Sequence, residues 1–226
     1  MLNRIYAYTV LNIKSLLKDK ISFIWSITLP LVMFALNFAE IQNENDMVYW
    51  WVYILVCSYV FGIGLYVMEL KEEGSIKTIF SIYNSSWALF WGNLMTQVIY
   101  SCICIFIFDC VVVILKDFSL KIIGIQSIKS IILCIPFAFA GYGMTVIKKC
   151  NVNTLKTIFS ILIFVMFVLS GMNSILNRYN PLIWISNCII GKWEENIGLY
   201  MFFMLFSLVI GSVGICCFTS NSSERR

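Results

Sequence analysis

The sequence predicts an all-α, polytopic membrane protein: six transmembrane helices preceded by an amphipathic interfacial helix, with both termini on the cytoplasmic side. Three observations predict it. Of the 226 residues, 60% are apolar or aromatic and 12% are charged, against about 45–50% and about 25% in soluble domains. The apolar residues fall in runs of about twenty, the length a helix needs to cross about 30 Å of hydrocarbon. Lys and Arg collect in alternate connecting segments, the asymmetry that sets orientation.

Residues 1–20, MLNRIYAYTVLNIKSLLKDK, open the chain. Their apolar positions are interrupted by polar ones and no small-residue cleavage site follows, so they do not read as a signal peptide. Leu2, Ile5, Tyr6, Thr9, Ile13, Leu16 and Leu17 recur at helical spacing, while Lys14, Lys18 and Asp19 fall largely away from them. That pattern reads as a helix lying in the headgroup plane, with a cytoplasmic extension of the first span as the alternative.

The transmembrane domain is expected over 21–218, with spans at about 21–39, 49–68, 87–115, 127–147, 157–176 and 197–218. The first holds Trp25 near its inner end and Pro30 near its middle, where a proline kinks a helix that neighbours must cover. The acidic stretch EIQNENDM follows, and Tyr49, Trp50, Trp51 and Tyr53 open the second span as an interfacial aromatic anchor. Lys116, Asp117 and Lys121 lie between spans three and four, and Lys148, Lys149 and Lys156 around the turn before span five. Residues 177–196 are semi-polar, and 219–226, TSNSSERR, form a cytoplasmic tail.

With the amino terminus inside, Arg4, Lys14, Lys18, Lys20, Lys71, Lys77, Lys148, Lys149, Lys156, Arg225 and Arg226 are cytoplasmic, eleven of the sixteen basic residues. Lys116, Lys121, Lys129, Arg178 and Lys192 fall outside. The excess favours an even number of spans.

Several function classes drop out. The basic residues form no run interleaved with aromatics, so a nucleic-acid partner is not expected. With no histidine and no Cys-x-x-Cys pair, the usual zinc sites and histidine-based catalysis are excluded. Most of the nine cysteines lie in or beside apolar runs, where a free thiol behaves as a small hydrophobe. Cys150 and Cys188 lie outside the runs and on opposite sides, which excludes a bridge between them. The one Gly-Lys pair, Gly191 and Lys192, lacks the rest of a phosphate-binding loop. The chain is therefore expected to hold no catalytic, cofactor or metal site, and any ATP hydrolysis belongs to another chain. Asp109 is the one clear charge within a span. It either neutralises Lys116 or Lys121, snorkels to the interface, or faces a substrate path.

The loop between spans two and three, ELKEEGSIKTIFSIYNSS, is polar enough to leave the membrane and patterned enough to hold a short helix. Glu69, Glu72 and Glu73 precede Gly74, then Ser75 and Lys77 follow, before a polar break at Asn84–Ser86. A short acidic helix here either docks a basic groove on a cytoplasmic partner or is a solvated connector.

On these residues the chain resembles the membrane subunits of type-2 ABC exporters. That family has an interfacial amino-terminal helix, six spans, and a span-two to span-three loop of the form E-x-x-E-G-T-hydrophobic, here with Ser75 in place of threonine, Tyr83 where Thr-Pro often stands, and Asn93 where lysine is common. Ser170–Gly171 and the later Asn180–Pro181 are similar to the end of span five and the external re-entrant segment of the family. The resemblance implies a noncatalytic permease in a bacterial cytoplasmic membrane, coupled through residues 69–86 to an ATPase subunit that binds ATP and Mg. It implies a second permease, the same or a relative, and no cofactor in this chain. The compact form looks like those that expel bacteriocins, lantibiotics or other amphiphilic peptides, and plentiful Phe, Met and Trp suit a hydrophobic cargo. An alternative is an immunity protein that sequesters a peptide in the membrane without transporting it.

Overall fold

In hydrocarbon a backbone N–H or C=O finds no water, so an apolar run closes its hydrogen bonds within itself as a helix. The computed structural model describes residues 2–18, 28, 30–82, 84–147, 151–172 and 174–218. Most of the first expected span, with Lys20 and Trp25, lies outside the described residues, as do Tyr83, Lys148, Lys149, Cys150 and the tail with Arg225 and Arg226.

The described residues are almost wholly helical, without a strand among them. In chain order the helices are α1 (Leu2–Lys18), α2 (Val48–Tyr59), α3 (Tyr66–Glu72), α4 (Ser75–Ile82), α5 (Ser86–Lys116), α6 (Leu120–Leu133), α7 (Ile135–Gly143), α8 (Val152–Ser170), α9 (Pro181–Ile190) and α10 (Trp193–Cys217). Residues 30–36 are also helical. Among the described residues five rods are long and apolar enough to cross a membrane: Glu44–Glu72, Ser86–Lys116, Leu120–Val146, Val152–Ser170 and Asn196–Cys217. The described residues are thus those of a helical, multi-pass membrane protein.

The Glu44–Glu72 rod is the most buried of the five and packs against α5, α6, α7, α8 and α9. It joins α2 to α3 through a π-helical stretch, Val60–Leu65, whose wider turn places Gly64 against α7. A Cβ on Gly64 would stand 1.9 Å from the carbonyl oxygen of Gly141, so the two backbones meet where neither has a side chain. α7 presses its other side on α10, where a Cβ on Gly211 would meet the Phe139 carbonyl at 2.6 Å.

The bundle has two distinct ends. At one, α1 lies across the start of α5, and α3, α4, the start of α8 and the end of α10 gather beside it. At the other, Glu44 and Asn45 contact Ser119 and Gln126, and Lys116 reaches Phe38 and Ile41.

Several expectations shift. The fourth expected span begins at Leu120 rather than Ser127 and turns at Cys134, just before Pro136, which has no N–H to continue the ladder. The fifth covers Val152–Ser170, ahead of the expected 157–176. Residues 177–196 contain α9, started by Asn180, whose side chain accepts from the Leu182 N–H, with Pro181 in the first turn. Cys188 is buried on that helix rather than outside the apolar packing, and every described cysteine is a free thiol. Trp50 and Trp51 are not an interfacial anchor: both are buried, Trp50 against Phe108 and Phe167.

Candidate functional site

The loop between the Glu44–Glu72 and Ser86–Lys116 rods is an elbow. Glu69 and Glu72 belong to the last turns of the Glu44–Glu72 rod, so the acidic residues end a long helix and do not form a short one of their own. Gly74 stops that helix at φ 80°, a left-handed conformation that costs an L side chain energy and glycine nothing. α4 then starts at Ser75. Its Ile76 and Phe80 are buried, and Lys77, Thr78 and Ser81 face outward.

Two of the three acids serve the neighbouring helix. Glu69 Oε1 lies 2.8 Å from Lys156 Nζ, the only ion pair among the described residues. Glu72 Oε1 accepts from the Val152 N–H at 3.0 Å, satisfying a donor left open at the start of α8, where the helix dipole also favours an anion. Glu73 is exposed. The elbow rests on the end of the last rod: Phe80 meets Phe218 edge-on at 5.9 Å, Lys71 Nζ lies 5.5 Å from the same ring, and Ser86 Oγ donates to the Phe218 carbonyl at 3.3 Å.

α1 docks beside the elbow through a polar seam that its periodicity did not announce. Of the expected apolar face, Leu2 and Tyr6 are exposed, Ile5, Ile13 and Leu16 are half-buried and Thr9 is buried against α5, together with Asn12, which lay outside that face. Thr9 Oγ1 donates to the Ile5 carbonyl at 2.9 Å and contacts the Gly92 carbonyl at 3.3 Å, while Asn12 Nδ2 donates to Asn93 Oδ1 at 2.5 Å. A Cβ on Gly92 would overlap Tyr8 Cβ at 2.5 Å, so a glycine there permits the crossing.

Between α1, the Glu44–Glu72 rod and α5 runs a cavity of about 460 Å³. Asn12, Ser15, Glu69 and Lys156 line it at the α1 end, Asn93, Thr96, Gln97 and Phe61 beyond them, and Tyr53, Ile54, Cys57 and Cys104 toward the middle of the bundle. Gln97 crosses to the π-helical stretch, where Oε1 accepts from Ser58 Oγ at 2.9 Å and Nε2 donates to the Gly62 carbonyl at 3.3 Å. The Ser58–Gly62 pair, spaced four apart, thus receives a glutamine instead of a second small residue.

No family of known proteins, no curated protein sequence and no solved structure matches the chain. What the site does is read from its geometry.

Asp109 lies away from this cavity, toward the opposite end. It pairs with neither Lys116 nor Lys121: Trp51 Nε1 donates to its Oδ1 at 2.7 Å. Lys116 instead donates to the Phe38 and Ile41 carbonyls and sits 3.8 Å from the centre of the Phe38 ring. Asn180 and Pro181 are equally remote from the elbow; Asn180 is buried, caps α9 and donates through Nδ2 to the Met166 carbonyl at 2.8 Å. Of the predicted residues, the structure therefore groups Glu69, Glu72, Glu73, Gly74, Ser75 and Lys77 and separates Asp109, Asn180 and Pro181 from them. Of the cavity residues, Lys156 was legible as part of the basic turn before span five and Ser58 as a small residue four before Gly62, while Asn12 and Gln97 were only polar interruptions of helical runs. Asn93 stood out as a departure from the family pattern.

Proposed function

We propose that this chain is the noncatalytic permease subunit of an ATP-driven exporter in a bacterial cytoplasmic membrane. In this reading it pairs with a second permease, takes energy from a separate ATPase subunit that binds ATP and Mg, and moves a hydrophobic or amphiphilic peptide. The observation that carries the reading is the elbow from Glu69 to Ile82: an exposed acidic helix end and a short helix, mechanically tied to three rods, at the same end of the bundle as α1 and the cavity.

In this reading the chain has six spans; α1 lying at the start of α5, with the Phe38 and Ile41 carbonyls at its far end, supports one crossing beyond the five rods. In this reading the α1 end is cytoplasmic, which the count of basic residues along the sequence favours.

Closure of the ATPases would push the elbow. The push would reach the central rod directly, α8 through Glu69 and Lys156, and α10 through Phe80 and Phe218. Rigid-body tilting of these rods is the switching mode that fits such ties. Gly74→Pro tests this, because proline holds φ near −65° where the elbow requires 80°. The variant, assembled with its ATPase, is expected to insert normally and to lose substrate-stimulated ATP hydrolysis; Glu73→Lys is expected to weaken association with the ATPase. Wild-type stimulation in Gly74→Pro, or labelling of Lys77 from outside the cell, overturns the proposal. Purification from the native membrane with no ATPase attached would favour a sequestering immunity protein instead.

A further inference from the structure

We infer that the cavity between α1, the Glu44–Glu72 rod and α5 binds a single-tailed amphiphile through an ester or amide carbonyl below its polar head. This site stands whether or not the chain couples to an ATPase. Its volume, about 460 Å³, lies in the range of small-molecule sites, about 300–1,000 Å³. Its lining changes along its length. Glu69 and Lys156 stand at the α1 end, and Tyr53, Ile54, Cys57 and Cys104 line the inner end. From Glu69 to Tyr53 the rod runs about 24 Å at 1.5 Å per residue, room for a head, a linkage and a tail in sequence.

The demand for a carbonyl comes from Asn93. Its side chain is 1% exposed and its Oδ1 is occupied by Asn12, but its Nδ2 donor has no partner. The other polar side chains of that wall are engaged: Thr96 Oγ1 donates to the Gly92 carbonyl, Ser101 Oγ to the Gln97 carbonyl, and both ends of the Gln97 amide are bonded. Among the described residues the remaining buried polar atoms without partners, such as Tyr142 Oη, Ser186 Oγ and Ser207 Oγ, do not line the cavity. A buried donor left unmade is costly, and a ligand acceptor removes that cost. Asn93 lines the cavity, and the terminal torsion of asparagine is broad, so Nδ2 is free to rotate toward a ligand there. The mouth holds one cation and one anion, each about one-third exposed at 34% and 39%, which complements a head carrying both charges.

An ester and an amide offer the same carbonyl from two sources, a bilayer lipid or an acylated peptide. The test uses the full-length chain, stripped of lipid in detergent, with binding read by native mass spectrometry. Three probes share one tail: lysophosphatidylethanolamine, its ether analogue without the carbonyl, and an N-acyl dipeptide. The ester is expected to bind as a single adduct, about tenfold or more tighter than the ether. Asn93→Leu is expected to abolish that preference. Asn12→Leu, which breaks the same Asn12–Asn93 bond but keeps the donor, is expected to retain it. Ile54→Trp, filling the apolar end, is expected to weaken all three probes. Tighter binding of the dipeptide assigns the site to a peptide cargo, and tighter binding of the ester to a bilayer lipid. Equal binding of ester and ether by the wild-type chain overturns the inference, and this comparison decides it even if Asn93→Leu fails to fold. Loss of the preference in Asn12→Leu as well would reduce Asn93 to a packing residue and overturn it too.

Discussion

Adding one methyl group at Gly64 is expected to loosen the centre of the bundle. An alanine Cβ there would lie 1.9 Å from the Gly141 oxygen and 2.2 Å from its carbonyl carbon, where real Cβ contacts keep at least 3.0 Å. Both atoms are backbone, so no side chain can swing aside, and the π-helical stretch and α7 must part by the difference, about 1.1 Å. A gap of 0.5–1 Å forfeits a quarter to a half of each dispersion contact, and each contact contributes about 0.1–0.2 kcal/mol. A seam of about 50 atom pairs at about 0.15 kcal/mol, losing about 40%, gives about 3 kcal/mol, at the upper end of the range for overpacked cores. That shifts the unfolding equilibrium more than a hundredfold. Unfolding in mixed detergent micelles, followed by circular dichroism, measures it. Gly124→Ala is the control, because a Cβ at Gly124 meets nothing within 4 Å, and alanine in a helix gains up to about 1 kcal/mol over glycine. If Gly64→Ala unfolds at the wild-type midpoint, the two backbones do not approach as described and the packing derived from them fails.

Two further outcomes follow from the polar ties. Trp51→Phe removes the indole donor from Asp109 Oδ1 and is expected to lower stability by about 1–3 kcal/mol; adding Asp109→Leu, which removes the deprived carboxylate, should recover much of the loss in the same assay. A double variant no more stable than Trp51→Phe alone would mean that the pair is not the source of the cost. For the elbow, Glu69→Lys and Lys156→Glu are each expected to cost up to about 1 kcal/mol, the exchange of both to restore it, and high salt to shrink every difference, because the pair is partly exposed. Salt-independent effects would contradict a screened ion pair.

The rods were legible because each is a local property of composition. The third expected span, 87–115, runs Ser86–Lys116, and the last, expected at 197–218, ends at Cys217. α9 was not read as a helix, although Asn180 and Pro181 are a cap and a first-turn proline, because its ten residues are short beside a membrane-spanning window and are flanked by Arg178 and Lys192. The acids of the elbow were found by pattern, but their attachment to the long rod was not, since helical periodicity continues unbroken to Glu72 and only the left-handed Gly74 ends it. On α1 the apolar stripe found Thr9 but not Asn12, and its Leu2 and Tyr6 are exposed. Burial there is decided by Asn12 meeting Asn93 and by Gly92 admitting Tyr8, and neither leaves a trace in the spacing of Leu and Ile.

From its sequence alone this protein is committed to helices long enough to cross a bilayer, because apolar runs without water must close their own backbone hydrogen bonds and need no distant partner to do so. Only the tertiary structure decides which polar side chains meet. Asp109 finds Trp51 at a separation of 58 residues and Asn12 finds Asn93 at 81, and such pairings depend on how the rods cross. That crossing is set by where backbones can touch, at Gly64 with Gly141 and at Gly92 beneath Tyr8, and a string of residues read one after another does not contain those distances.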